Sequence, residues 1–199
     1  MTTLFISDLH LEADRPEIGE QFLDFLNEEA ADTAALYILG DFFEYWVGDD
    51  DPDEYYASIK RSLRAFTDAV VPVYFMHGNR DFMIGERFAA ETGVTILPDP
   101  FPLELYGKSV LLSHGDALCT DDTEYQQMRA MTRNPEWQAM MLAKPLEEVP
   151  GARQVLDGVL DDGLAGHGQR FKTPDLLAEM AAKGQTFYGR FGNEARAVA

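Results

Sequence analysis

The chain is poor in basic residues, histidine and cysteine, and each shortage narrows what it can do. Against 35 Asp and Glu stand only 16 Lys and Arg, a formal net charge of −19 over 199 residues. A general nucleic-acid binder needs a basic footprint to displace counterions from phosphates, so that class is excluded. A lone Cys119 rules out an internal disulfide and suits a reducing compartment, and its plain reading is a small packed side chain. Histidine occurs only at positions 10, 77, 114 and 167, so a metal site has few imidazoles to draw on. No apolar run approaches the ~20 residues of a membrane span, and Met1 leads directly into a strand-like stretch rather than a signal peptide. The site is therefore expected on the cytoplasmic side. With 46% hydrophobic residues the chain can still bury a large α/β core.

What is present is concentrated in short polar segments behind apolar runs. Leu4-Phe5-Ile6 leads to Asp8-Leu9-His10, and Leu36-Tyr37-Ile38-Leu39 leads to Gly40-Asp41. Val73-Tyr74-Phe75-Met76 leads to Gly78-Asn79-Arg80-Asp81, and Val110-Leu111-Leu112 leads to Ser113-His114-Gly115-Asp116, with Asp121-Asp122 just beyond. Ligands gather at strand carboxyl ends in open α/β sheets, so four such loops point to one shared rim. Carboxylate, imidazole and amide oxygen without thiolate suit hard or borderline divalent ions. An Asp between two ions ~4 Å apart can bridge them, the arrangement that clamps both oxygens of an in-line displacement at phosphorus, and Asp41 is the natural bridge. Arg80 has the planar fork that suits phosphate oxygens.

The rest of the chain reads as alternating strands and helices, then hairpins. Pro16 to Ala30 puts Ile18, Phe22, Phe25 and Leu26 on one face, and Asp53 to Ala69 does the same with Tyr56, Ile59, Leu63 and Phe66. Leu103 to Tyr106, then Gly107-Lys108 and Ser109 to Leu112, predicts a hairpin. From Asp121 to Ala143 a stripe of Tyr125, Met128, Met131, Trp137, Met140, Met141 and Leu142 suits either core packing or adaptable apolar contact. His77 reads as a packed neighbour rather than a ligand. The run Asp49-Asp50-Asp51 reads as a solvated loop and helix-start cluster, and Trp46 either lines the cleft or packs.

Asp-x-His, Gly-Asp, Gly-Asn-x-Asp and a later His, in that order, resemble the calcineurin-like metallophosphoesterases. Within them, Ile6 to Leu11, Leu39 to Asp50, His77 to Phe82 and Ser113 to Asp122 resemble the branch that serves lipid A biosynthesis, from Met1 to about Glu148. The resemblance implies an αββα two-sheet sandwich with a helical lid, and manganese-dependent hydrolysis of UDP-2,3-diacylglucosamine to UMP and 2,3-diacylglucosamine 1-phosphate. It implies a peripheral location on the cytoplasmic face of the inner membrane. Position by position, Asp8 and His10 would hold one manganese, Asp41 would bridge, and Asn79 and His114 would hold the other. By the same resemblance, Asp41, Asn79 and His114 would form the catalytic set. Asn79, Arg80, Asp122 and Tyr125 would bind substrate. Two alternatives stay open: a phosphoesterase acting on a soluble nucleotide, and a non-catalytic relic with a partial metal site.

The family's two further ligands are histidines in a Gly-His-Thr-His-Arg-Pro segment that has no counterpart here. Gly166-His167-Gly168 is the nearest imitation, without a second histidine, and His167 reads as a solvated loop residue. Composition changes at the same place. Residues 1–148 hold 29 acidic and 10 basic side chains, while residues 149–199 hold six of each and half of the 16 glycines. This divides the chain into a metallophosphoesterase domain, 1–148, with the start of the lid, and a divergent tail, 149–199. A divergent lid, a truncated product and a frame change near codon 149 all account for the break. In the tail, Thr173-Pro174 opens a short helix through Met180, and Gly184 to Ala199 has no clear period and is expected to fray. An incomplete sheet with an unpaired edge and poor solubility is the corresponding expectation.

Overall fold

A computed structural model describes residues 2–28, 33–69 and 71–144, and the backbone of 186–191 and 194–198. The chain forms two compact units, Met1–Pro98 and Asp99–Ala199. In the first, β1 (Thr2–Ile6), β2 (Thr33–Leu39), β3 (Val73–Met76) and β4 (Thr95–Leu97) form a parallel sheet in the order β1-β2-β3-β4. Between them run α1 (Pro16–Glu28), α2 (Glu54–Asp68) and α3 (Glu86–Thr92). Sequential strand order with right-handed crossovers places all three helices on one face, and the parallel sense sends the loops after β1, β2 and β3 to one edge.

The helical periods of the sequence mark the buried faces. α1 buries Phe22 and Leu26, and α2 buries Tyr56, Ile59, Leu63 and Phe66, the four positions its period selects. Asp53 caps α2 by accepting from Tyr55 N. Strand β2 buries Thr33 and the run Leu36 to Leu39.

An aromatic cluster fixes the loop beyond β2. Phe42 and Phe43 are fully buried, their rings 4.6 Å apart, and Trp46 stacks on Phe43 at 4.6 Å and meets Phe88 at 5.2 Å. Of the two readings of Trp46, packing holds. Asp49 is not the solvated charge expected. Its Oδ1 accepts from Trp46 Nε1 and Gly85 N, and its Oδ2 accepts from Phe88 N. Gly85 has no side chain with which to cap α3, so Asp49 closes that helix start from another loop.

The second unit holds β5 (Phe101–Leu105), β6 (Lys108–Leu112), β7 (Thr186–Phe191) and β8 (Glu194–Val198) in that order, with α4 (Thr123–Thr132) and α5 (Pro135–Leu142). The predicted hairpin is β5 and β6, turned by Tyr106 and Gly107 at φ 51° and 78°. Left-handed values at both central residues match the right-handed twist of the strands. The fraying expected from Gly184 onward is overturned: β7 pairs parallel to β6, and β8 pairs antiparallel to β7. The edge of β6 expected to stand open is thus covered. The missed signal was Gly192-Asn193, a two-residue hairpin pair between the two runs. The rest of the tail, including the change at 149, His167 and the Thr173–Met180 helix, lies outside the described residues. Among the described residues no helix is long and apolar enough to cross a membrane.

Candidate metal centre

Three donors of the first unit converge. Asp8, His10 and Asp41 each offer one ligand atom, and these atoms lie within 4.8 Å of one another. Their backbones are unusual in the same way: φ is 55° at Asp8, 52° at His10 and 51° at Asp41. A non-glycine residue in the left-handed region costs ~1–2 kcal/mol, and such conformations persist where the surroundings over-determine them. Here the surroundings are a ladder between the two loops. Asp8 N donates to Gly40 O (3.0 Å), His10 N to Asp41 O (3.0 Å), Leu11 N to Phe42 O (2.9 Å) and Glu44 N to Leu11 O (3.1 Å). Leu11, Phe42 and Phe43, all fully buried, anchor its far end.

The third loop is clamped to the second by a carboxylate. Asp81 is fully buried and accepts from Phe42 N through Oδ2 and from Gly78 N through Oδ1, both at 2.7 Å. In return Asp41 Oδ1 accepts from Arg80 N at 2.9 Å. Gly78 is obligatory here, because a Cβ built on it would overlap the Asp41 carboxylate and backbone nitrogen. Asn79 follows it in the same loop, half-buried. His77 packs its ring edge on Phe75 and pairs Nε2 with Ile84 O at 2.7 Å.

Glu44 is the site residue that sequence reading missed. Its Oε2 lies 2.6 Å from His10 Nδ1, and its Oε1 lies 3.4 Å from a terminal nitrogen of Arg80. His10 Nε2 is left facing Asp41 Oδ2 at 3.8 Å. The Glu44 hydrogen bond, with the charges of Asp41, Glu44 and Asp8, raises the His10 imidazole above its ordinary value despite burial. Burial pushes Glu44 up, but His10, Arg80 and Arg15 outweigh it and hold the carboxyl below its ordinary range. The available signal was Gly40-Asp41-Phe42-Phe43-Glu44: three residues past Asp41, on the same loop, a carboxylate can reach the imidazole of its neighbour loop.

In the second unit His114 lies half-buried just beyond β6. Two residues on, Asp116 collects one face of α4: its Oδ2 accepts from Tyr125 Oη and Arg129 Nε, both at 2.9 Å, and lies 3.8 Å from Arg133. Burial raises the Asp116 carboxyl, yet His114 and Arg129 bring it below its ordinary range. Asp122 accepts from Tyr125 N as the cap of α4. The structure thus places Asp8, His10 and Asp41 side by side and ties Arg80 to them through Asp41 and Glu44, while His114 follows β6, a strand of the other sheet, rather than the one rim expected for all four loops. It places Asp122 and Tyr125 on the first turn of α4.

The donor set fits a divalent cation: two carboxylates and an imidazole, half-buried to buried, with the imidazole's second nitrogen held by another carboxylate. Fold and site define a calcineurin-like phosphoesterase, the family whose model matches residues 1–174, and the chain belongs to it. That family implies a divalent metal, and its α/β fold is the one expected from the motifs. Among proteins of known description, the chain is 58% identical over 146 residues to UDP-2,3-diacylglucosamine hydrolase of Stenotrophomonas maltophilia (strain R551-3), covering 73% of this chain and 59% of that protein. It is 58% identical over 146 residues to that of Xanthomonas oryzae pv. oryzae (strain PXO99A), with the same coverage, and 56% identical over 148 residues to that of Chromobacterium violaceum, covering 74% and 62%. The chain therefore spans about three-fifths of the length of these relatives. The crystal structure of Pseudomonas putida nuclease MPE is a partial likeness, at TM-score 0.44 and 23% identity over 56% of this chain and 53% of that one.

Proposed function

We propose that this chain carries the metal-binding part of a manganese-dependent hydrolase that cleaves the diphosphate of UDP-2,3-diacylglucosamine to UMP and 2,3-diacylglucosamine 1-phosphate. The observation that carries the reading is the Asp8, His10 and Asp41 cluster, which sits within residues 1–174 matched by the calcineurin-like phosphoesterase model, in a chain 58% identical over 146 residues to a hydrolase of that name. Asp8, His10 and Asp41 would hold a divalent ion within the first unit, and by resemblance Asn79 of that unit and His114 of the second unit would each offer a further donor. Divalent ions at such a site supply Lewis acidity to the phosphoryl oxygens and lower the pKa of water. Asp81 and the Leu11 ladder keep the donors in place. Arg80, held over the Tyr45 ring at 5.9 Å and against Glu44, would present its fork to the diphosphate. Asp122 and Tyr125 would meet the glucosamine phosphate. The exposed Met131, Met140 and Leu142 of α4 and α5 supply apolar surface for acyl chains, which supports the lid role over core packing. With a lipid substrate, the enzyme would work at the cytoplasmic face of the inner membrane.

The test is hydrolysis of UDP-2,3-diacylglucosamine in heavy-oxygen water with manganese, followed by mass spectrometry. Label on UMP, at a slow rate and lost in Asp41→Asn, is the expected result. Label on the sugar phosphate would refute attack at the α-phosphorus. Cleavage of a soluble UDP-sugar but not the lipid would move the reading to a soluble nucleotide.

A further inference from the structure

Glu44 divides its carboxylate between two jobs. Oε2 meets His10 Nδ1 at 2.6 Å, while Oε1 faces the Arg80 guanidinium at 3.4 Å. Its side chain is 15% exposed and that of Arg80 is 9% exposed, so neither charge is dispersed by bulk water. A neutral imidazole has one N–H; when a carboxylate accepts it at Nδ1, Nε2 is left with its lone pair available. In this protein that lone-pair nitrogen is the one facing Asp41. The second oxygen restrains a guanidinium whose own backbone N–H is bonded to the same Asp41.

Resting on the metal reading above, we infer that Glu44 is a positioning residue shared by the metal site and the phosphate-binding arm, fixing the His10 tautomer through Oε2 and the direction of Arg80 through Oε1. Its two oxygens are taken up by His10 and Arg80. It makes the two sites one rigid unit, so that an ion held by His10 and a phosphate held by Arg80 meet at a set spacing. Carboxylate partners of ligating histidines are worth 10–100-fold in metal affinity.

Manganese titration of the full chain by calorimetry, with ¹⁵N NMR of the His10 ring, tests the first half. Glu44→Ala is expected to weaken manganese about 10- to 100-fold and to scramble the ring tautomer. Glu44→Gln keeps the shape and an acceptor for the Nδ1 proton, and should recover most of that loss; general damage to the fold would not be rescued so. Equal affinity in wild type and Glu44→Ala, or equal losses in Ala and Gln, overturns the assignment. The second half is read from inorganic phosphate affinity at saturating manganese in a double-mutant cycle of Glu44→Ala with Arg80→Ala. Coupling of at least about threefold is expected, and simple additivity refutes the link to Arg80. A wild-type chain that binds no manganese overturns the proposed function together with this role. A wild type that binds, with Glu44→Ala unaffected, overturns this role alone.

Discussion

Replacing Asp81 by Asn tests how the loops of the metal centre are held. Asp81 is fully buried, and its two oxygens accept from Phe42 N and Gly78 N at 2.7 Å. Asn has the same shape but one acceptor. One N–H therefore keeps a neutral bond, losing ~1 kcal/mol relative to the charged one, while the other faces an NH₂ and is stranded, at ~1–3 kcal/mol. The expected destabilisation of the first unit is about 2–4 kcal/mol. Trp46 and Trp137 are the chain's two tryptophans, so in a Trp137→Phe background Trp46 fluorescence reports unfolding of the first unit alone. Urea titration should show a lower midpoint with unchanged slope, since the surface exposed does not change. The same variant should bind manganese more weakly, because Phe42, the neighbour of Asp41, and Gly78 lose their common clamp. A shift under about 0.5 kcal/mol would refute the view that this carboxylate joins the two loops.

Two further outcomes follow from the same geometry. Asp49→Ala strands Gly85 N and Phe88 N at the start of α3 and should cost about 1–2 kcal/mol, with faster amide exchange through Glu86–Thr92 than in α2; unchanged exchange in α3 would refute the remote cap. Manganese affinity should depend on pH through His10. Its pKa is raised, chiefly by Glu44, so the metal-free ring keeps its proton to higher pH, and binding at Nε2 must leave the ring neutral. Affinity should therefore fall as pH drops below that raised value and level off above it, with proton release visible by calorimetry in buffers of different ionisation enthalpy; flat affinity from about pH 5.5 to 8 would refute it.

The sequence alone determined which chemistry was on offer and where along the chain it sat. Apolar runs ending in Asp-x-His, Gly-Asp and Gly-Asn-x-Asp are local patterns, and in a parallel sheet every strand's carboxyl end reaches the same edge, so the donors were legible before any coordinates. The buried faces of α1 and α2 were legible for the same reason: a helical period depends only on near neighbours. The tertiary structure decided which of the many carboxylates do what. Glu44, Asp49 and Asp81 look like any other acids in a chain with 35 of them, and their roles come from partners 34 to 39 residues away. The left-handed backbone of Asp8, His10 and Asp41 was likewise invisible: Asp and His tolerate that region better than most residues, yet few of them adopt it, and packing of Leu11, Phe42 and Phe43 beneath the loops selects these three. The same holds for the partner of β7: its parallel pairing with β6 joins Val110–Leu112 to Thr186–Tyr188, far apart in sequence, which no local pattern in the tail displays.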